Sequence, residues 1–447
     1  MKKRFLSVVG FAIVCRMQVY AQTTHSDTSL FRTKPVSLYT PVNTGDTANT
    51  KNYNPRRLRI DEIDLVSSYY SQTGDHSAIT GGIGTQQVTD FSNGINLNLV
   101  WLGPAGNKNT LMAGLGIDHH TSASAAYVNV SGSSKTGGSR IYPSLDWTFE
   151  NAKTGGTFGI GAYYSGEYNY HSKELNVHWS TKTDDKNGEF GIQLSTYLDR
   201  VTLIYPSEFT TTAAAAAQQG GTTIVTTASG NTEVLSASGQ VISNHHDLAS
   251  SERNTYTAAL SYTQQINSRL QVMVLGDVVE QTGYLGLPYH RVYFNTGKDT
   301  VEKLPTSRYK FPIGARLNYF IGDDIILRAY YRYYMDTWGI RSSTANVELP
   351  VKITPFFSIS PFYRFYTQTA ARYFAPYEEH AVTDEYYTSN YEYSAFNSNF
   401  FGVGFRLAPP NGVFGWQNLH DLELRYGHYA QTTDLVSDVV SLSLGFK

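Results

Sequence analysis

The sequence predicts an all-β fold, a transmembrane antiparallel up-and-down β-barrel of about sixteen strands, roughly 14 to 18. Three observations predict it. Apolar residues recur with a period of two in segments of about ten residues, the connections alternate between short and long, and aromatic residues flank the short ones.

The period of two begins at Ile60. Ile95, Leu97, Leu99 and Trp101 share one face, with Asn96 and Asn98 on the other. Leu111, Ala113, Leu115 and Ile117 repeat the pattern opposite Gly114, Gly116 and Asp118. Leu145, Trp147 and Phe149 lie opposite Ser144, Asp146, Thr148 and Glu150. Similar runs centre on Ile160, Val177, Ile192, Leu260, Val274, Leu317, Leu327, Leu349, Ile359, Val403 and Leu424. A tilted membrane strand requires this alternation, because its side chains face lipid and lumen in turn.

Short turns are expected at Gly103–Lys108, Asn151–Gly155, Asp184–Gly188, Ile266–Ser268, Ile321–Asp323, Ile353–Pro355 and Pro409–Gly415. Between them fall 72–90, 120–139, 165–173, 206–252, 282–308, 336–342, 371–396 and 430–437. Short periplasmic turns alternating with longer external loops distinguish a membrane barrel from a soluble sandwich. Trp101, Phe149, Phe158, Phe190, Phe320, Phe356 and Trp416 flank the short turns, where an interfacial girdle belongs. Segment 206–252, rich in Ala, Thr, Gly and Ser, reads as a long, mobile external loop.

Composition agrees. The 447 residues include 34 tyrosines and 38 glycines but one cysteine, and the net charge is −2. Tyrosine suits a membrane–water interface or a wet lumen. A near-neutral chain gives no reason to expect nucleic acid. Lys2, Lys3 and Arg4 followed by apolar Phe5 to Val14 read as an export signal, ending after Val19-Tyr20-Ala21. The expected organisation is a signal peptide at 1–21, a flexible periplasmic arm at 22–55 and a barrel at 56–447 in the cell outer membrane. Cys15 would leave with the signal, which excludes disulfides and thiol catalysis in the mature chain. The ending Val440 to Lys447 is an alternating strand with Phe446 next to its terminus, suited to the barrel-insertion machinery. That strand must pair with the first, because lipid satisfies no open edge.

If the apolar residues face lipid, their neighbours line the lumen. Arg316, Arg328, Arg332, Arg364, Arg406 and Arg425 then fall in the C-terminal half, and Glu62, Asp64, Asp118, Asp146 and Glu150 in the N-terminal half. Facing rows of opposite charge would set a transverse field across a channel. The alternative is a lumen filled by cross-paired salt bridges, since buried charges are normally paired. His76, His119, His120, His245, His246 and His380 show no metal-ligand spacing and are expected to be solvated loop residues, so no metal site is assigned. His171-Ser172 with Asp384-Glu385 would be the material for a rim hydrolase, but a triad is recognised by geometry, and no catalytic residue is assigned. The aromatic loop 371–396 is expected to pack as a rim loop, the alternatives being a sugar-stacking surface or an inward plug.

Several stretches resemble a bacterial family known as domain of unknown function 3570. They are Ala78-Ile79-Thr80-Gly81-Gly82-Ile83-Gly84-Thr85, Leu203-Ile204-Tyr205-Pro206, Pro288-Tyr289-His290-Arg291-Val292-Tyr293-Phe294, Tyr330-Tyr331-Arg332-Tyr333-Tyr334, and Pro361 to Ala370 continuing to Tyr377. The resemblance is expected to run from about Ile60 to the end, leaving out 206–252 and 22–55. It implies an outer-membrane barrel without assigned activity. The family's genes tend to lie near those for a small lipoprotein, a thioredoxin-like protein and a flavin transferase, which implies a lipoprotein and periplasmic redox proteins as partners. In that light Asp118-His119-His120-Thr121-Ser122-Ala123-Ser124 resembles a flavin-transferase acceptor motif, with Ser122 where the motif carries Gly. Ser124 would then carry FMN through a phosphoester, with Asp118 as the motif's acid.

The reading that follows is an outer-membrane channel or transporter for a small hydrophilic or charged solute, not an enzyme and with no cofactor expected. Its alternatives are a redox-linked component served by a flavin transferase or flavoprotein, with covalent FMN, and a surface hydrolase.

Overall fold

The fold is seen in a computed structural model that describes residues 58–121, 138–167, 170–203, 222–226, 232–236, 241–243 and 250–447. The expected signal peptide and arm lie outside these residues, as do Ser124, His245 and His246. Sixteen antiparallel strands close into one barrel. They are β1 (Arg59–Thr73), β2 (Val88–Leu102), β3 (Lys108–His120), β4 (Gly138–Glu150), β5 (Thr157–Gly166), β6 (Tyr170–Lys182), β7 (Gly188–Thr202) and β8 (Ser250–Asn267). The others are β9 (Leu270–Gly283), β10 (Ser307–Lys310 with Ile313–Ile321), β11 (Ile325–Met335), β12 (Arg341–Glu348 with Val351–Thr354), β13 (Phe357–Gln368), β14 (Phe396–Leu407), β15 (Leu419–Gln431) and β16 (Val436–Phe446).

Each strand pairs with its sequence neighbour, and β16 pairs with β1 from Ile63↔Phe446 to Thr73↔Val436. No edge is left for lipid, and this is what lets strands cross a membrane at all. Strands β10 and β12 are each interrupted at a proline, Pro312 and Pro350, which has no N–H to give the ladder. The run expected to centre on Leu349 therefore breaks there. Leu349 N still reaches Pro361 O at 3.0 Å, so the wall stays continuous.

Burial follows the alternation. On β6, Leu175 is 62% exposed while Glu174 and Asn176 beside it are buried. Leu145, Ile160, Leu194, Leu260, Val274 and Val278 likewise present apolar side chains outward on other strands. Such a belt is stable only against hydrocarbon, so the chain is a membrane-spanning β-barrel. Among the described residues no helix is long and apolar enough to cross a membrane. The expected short turns all fall at one end, but length does not separate the two ends strictly: 408–418 belongs to the turn end, while the expected longer segment 165–173 shrinks to 167–169 because β5 runs to Gly166 and β6 starts at Tyr170. Within the longest connection the described residues form a small antiparallel sheet of Thr222–Thr226, Thr232–Ser236 and Val241–Ser243.

Candidate functional site

The inner wall divides by charge. On β10 to β15 the alternation turns Arg316, Arg328, Arg332, Arg364, Arg406 and Arg425 inward, together with Glu348 and Glu423, which sequence reasoning passed over. Arg425 Nη1 lies 3.2 Å from Glu348 and 3.0 Å from Glu423, and Arg328 lies 3.8 Å from Glu348. Arg406 makes a two-pronged pair with Asp421, at 3.0 and 3.1 Å. Glu348 and Glu423 have the same parity as their arginines, beside outward Val347 and Leu424, so the alternation itself contained the signal.

The opposite wall is acidic, with local partners. Asp118 takes Arg140 at 2.7 Å, Glu150 takes Lys182 at 3.8 Å, and Asp146 lies 3.8 Å from His178. Glu62 lies 3.5 Å from His420, and Asp64 is buried. Several charges of both walls thus pair with near neighbours on their own wall. The walls still differ in sign, because these six arginines outnumber Glu348, Glu423 and Asp421 beside them.

Within the arginine wall the register aligns side chains across strands. Arg316, Tyr330, Asn346, Arg364, Phe400 and Tyr429 stand side by side from β10 to β15. The adjacent row holds Arg328, Glu348, Phe362, Gly402 and Gly427. The guanidiniums sit over rings: Arg316 over Tyr330 at 5.4 Å, Arg364 over Phe400 at 4.9 Å, and Arg425 over Phe362 at 5.0 Å. Toward the turn end the wall is wet. Arg406 is 53% exposed and Arg328 40%, although both face inward.

The other end of the lumen is packed. Connections 74–87, 284–306, 336–340 and 369–395 fold against inward-facing wall residues. Gln72 of β1 donates to Gln86 O at 3.0 Å. Arg253 of β8 donates to Tyr284 O and Gly286 O at 2.9 and 2.8 Å, and Gln368 of β13 to Glu392 O and Ser394 O. Leu285, Leu304, Trp338, Ile340, Ala371 and Tyr393 form a small apolar core there. Arg291 bonds Ile79 O, and His76 stacks on Tyr391 with centroids 3.7 Å apart, so the first loop is locked to the other two. The aromatic connection after β13 is therefore an inward plug rather than the rim loop the sequence suggested. Its composition carries no period, and only the long-range partners give its direction. Glu392, on the single turn Tyr391–Tyr393, lies within electrostatic reach of Tyr70 on β1, Tyr429 on β15 and His290.

The histidines differ from the expectation of solvated loop residues. His119 and His120 belong to β3, and His120 lies 3.1 Å from Glu167. His380 is 4% exposed, held between Asp384 at 3.1 Å and Thr388 O at 3.0 Å. Among the described residues no three His, Cys, Asp or Glu side chains cluster as a metal would require. His171 and Ser172 are adjacent on β6, where neighbours point to opposite faces, and Asp384 is engaged by His380. Of the flavin-acceptor motif, Asp118 is described and carries the pair with Arg140.

Solved structures of similar architecture include a bacterial polysaccharide outer membrane secretin, at 9% identity and TM-score 0.39, covering 88% of this chain and 99% of that one. A BenF-like porin from Pseudomonas fluorescens is 6% identical, with TM-score 0.38 and coverage of 86% and 98%. The outer membrane protein OprD from Pseudomonas aeruginosa is 7% identical, with TM-score 0.37 and coverage of 86% and 93%. At such identities no function carries across. No curated protein matches the sequence. A family profile does match, over residues 135–436. That is narrower than the resemblance expected from Ile60 onward, and it leaves the Ala78–Thr85 stretch outside. The match covers β4 to β15 and the start of β16, with the arginine wall and most of the plug, and the chain belongs to the family described as Protein of unknown function (DUF3570).

Proposed function

We propose that this barrel is a channel or transporter for a small hydrophilic or charged solute. The observation that carries the reading is the pair of inward arginines that stay water-accessible, 53% for Arg406 and 40% for Arg328, below a packed outer end. A barrel of this strand number encloses more width than wall side chains fill, so inward charges at the turn end border an aqueous vestibule. The excess of arginine on one wall and of acid on the other sets a transverse field that favours anions along the arginine side. The plug narrows the path, so passage is selective or gated rather than free. Periplasmic partners would act at the vestibule end.

Planar-bilayer conductance of the refolded barrel in salt gradients tests the reading. Stable single-channel steps with anion preference are expected, and Arg328→Glu, Arg332→Glu and Arg364→Glu should move the reversal potential toward cation preference. Silence from correctly folded protein, or an unchanged reversal potential across the three variants, would sink it.

A further inference from the structure

On the arginine wall, two phenylalanine rings rest against two glycines, and an arginine approaches each ring. Gly402 and Gly427 are neighbours across β14 and β15, both facing inward, and Phe362 follows them in the same row from β13. A Cβ on Gly402 would come within 2.6 Å of Phe362 Cζ. One on Gly427 would come within 2.5 Å of Phe400 Cζ and 3.3 Å of Phe362 Cζ. The missing side chains are what allow both rings to lie against the wall, with their centroids 5.2 Å apart. Arg364 lies over the Phe400 ring and Arg425 over the Phe362 ring. Phe400 rests on Gly427 and carries Arg364, whereas the Arg425 guanidinium lies against the wall itself, its Cζ 3.6 Å from where a Cβ on Gly404 would stand.

This layering has a chemical consequence. A guanidinium held on a ring by its face has lost much of its rotational freedom before any ligand arrives, and its donors lie in its own plane, at the edge. A donor fork held in that way matches two acceptor oxygens on one atom, as in a carboxylate or phosphate, and gains nothing from a spherical halide. Arg425 is different: its Nη1 alone donates to both Glu348 and Glu423, at 3.2 and 3.0 Å, so two carboxylates of the wall already neutralise it. Arg316 over Tyr330 repeats the guanidinium–ring pair in the Arg364 row, three strands away.

We infer that the Gly427–Phe400–Arg364 stack forms a lumenal binding site for small oxyanions, carboxylates or phosphates, discriminated from halides by geometry rather than charge. The inference deepens the channel reading by naming its solute class. Its test does not require conduction. Isothermal titration of the detergent-folded full barrel with malonate, inorganic phosphate and chloride measures it directly. Saturable binding of malonate, of phosphate or of both is expected, with none for chloride; malonate alone assigns carboxylates, and phosphate alone assigns phosphates. Arg364→Lys keeps the charge but loses the fork, and should weaken binding at least about tenfold. Phe400→Leu keeps the arginine but loses the ring, and should weaken it about fivefold. Heat-modifiable mobility on gels certifies that each variant is folded. No saturable binding of either oxyanion, chloride binding of equal strength, or full retention by Arg364→Lys would overturn the inference. A conducting barrel that binds neither oxyanion removes this site and keeps the channel, whereas oxyanion binding by a silent barrel does the reverse.

Discussion

Thr388 Oγ1 donates a 2.7 Å hydrogen bond to Glu302 Oε2, joining two external connections whose residues are 86 apart in sequence. Both side chains are almost fully buried. The other carboxylate oxygen accepts from Leu287 N at 2.6 Å and lies 3.2 Å from His290 Nδ1. Glu302 is therefore a side-chain clamp between the loop after β9 and the loop after β13, beside the backbone bonds that Lys303 exchanges with Tyr387. A buried carboxylate that loses a donor retains its desolvation cost without the compensating bond.

Thr388→Val should accordingly cost about 1.5–3 kcal/mol of plug stability while leaving the strands paired. Limited proteolysis of the folded barrel would read it out, as faster cleavage within 284–306 and 369–395 with unchanged heat-modifiability. Cleavage at the wild-type rate would mean that the loops are held by something other than this clamp.

The tip between β11 and β12 is organised by Asp336, whose carboxylate is fully buried. It accepts from Arg308 Nε at 2.9 Å, Tyr334 OH at 2.8 Å, and the backbone N–H groups of Trp338 and Ile340 at 2.9 and 3.0 Å. Asp336→Ala leaves the Arg308 guanidinium buried against Trp338 without its counter-charge, a loss of about 3–5 kcal/mol. Hydrogen exchange should accelerate at Trp338 and Ile340, and at the outer end of β10, while mid-barrel amides stay protected. Uniform protection throughout would count against this account of the tip.

The wall glycines allow a matched pair of substitutions. Gly427→Ala drives a methyl into the Phe400 ring and should cost about 1–3 kcal/mol, as overpacking does. Gly276→Ala on β9, where a Cβ would meet nothing within 4 Å, should stay within about 0.5 kcal/mol of the parent. Equilibrium urea titrations of both variants in the same lipid compare them directly. Equal stabilities would mean that the rings do not rest on the wall as described.

Much of this molecule was legible in its sequence because a membrane barrel obeys a local rule. Leu175 outward and Glu174 inward follow from period two alone. The plug obeys no such rule. Arg291 finds Ile79, and His76 finds Tyr391, across stretches with no periodicity to connect them. Burial of His380 was likewise hidden, because its partners Asp384 and Thr388 become neighbours only once the loop turns inward. Proline explains the remaining difference: Pro350 ends a ladder that the hydrophobic pattern around Leu349 seemed to continue.

Closure supplies the last prediction. Strand β16 bonds β15 on one side and β1 on the other, from Leu419↔Phe446 to Ala430↔Val436 and from Ile63↔Phe446 to Thr73↔Val436. Removing 436–447 would expose two edges, on β1 and β15, in a medium where each unsatisfied backbone group costs several kcal/mol. No side-chain repair is available at that scale, so the truncated chain should give no heat-modifiable band and should not enter membranes. Phe446→Ala is the milder counterpart. It removes the ring that meets Trp416 at 5.4 Å and packs on the Val413–Leu419–Leu444 cluster, but leaves every ladder bond in place. That variant should insert and close, with a stability loss of about 3–5 kcal/mol in lipid. If the truncation inserted as well as the point variant, edge closure would not be what holds this barrel in the membrane.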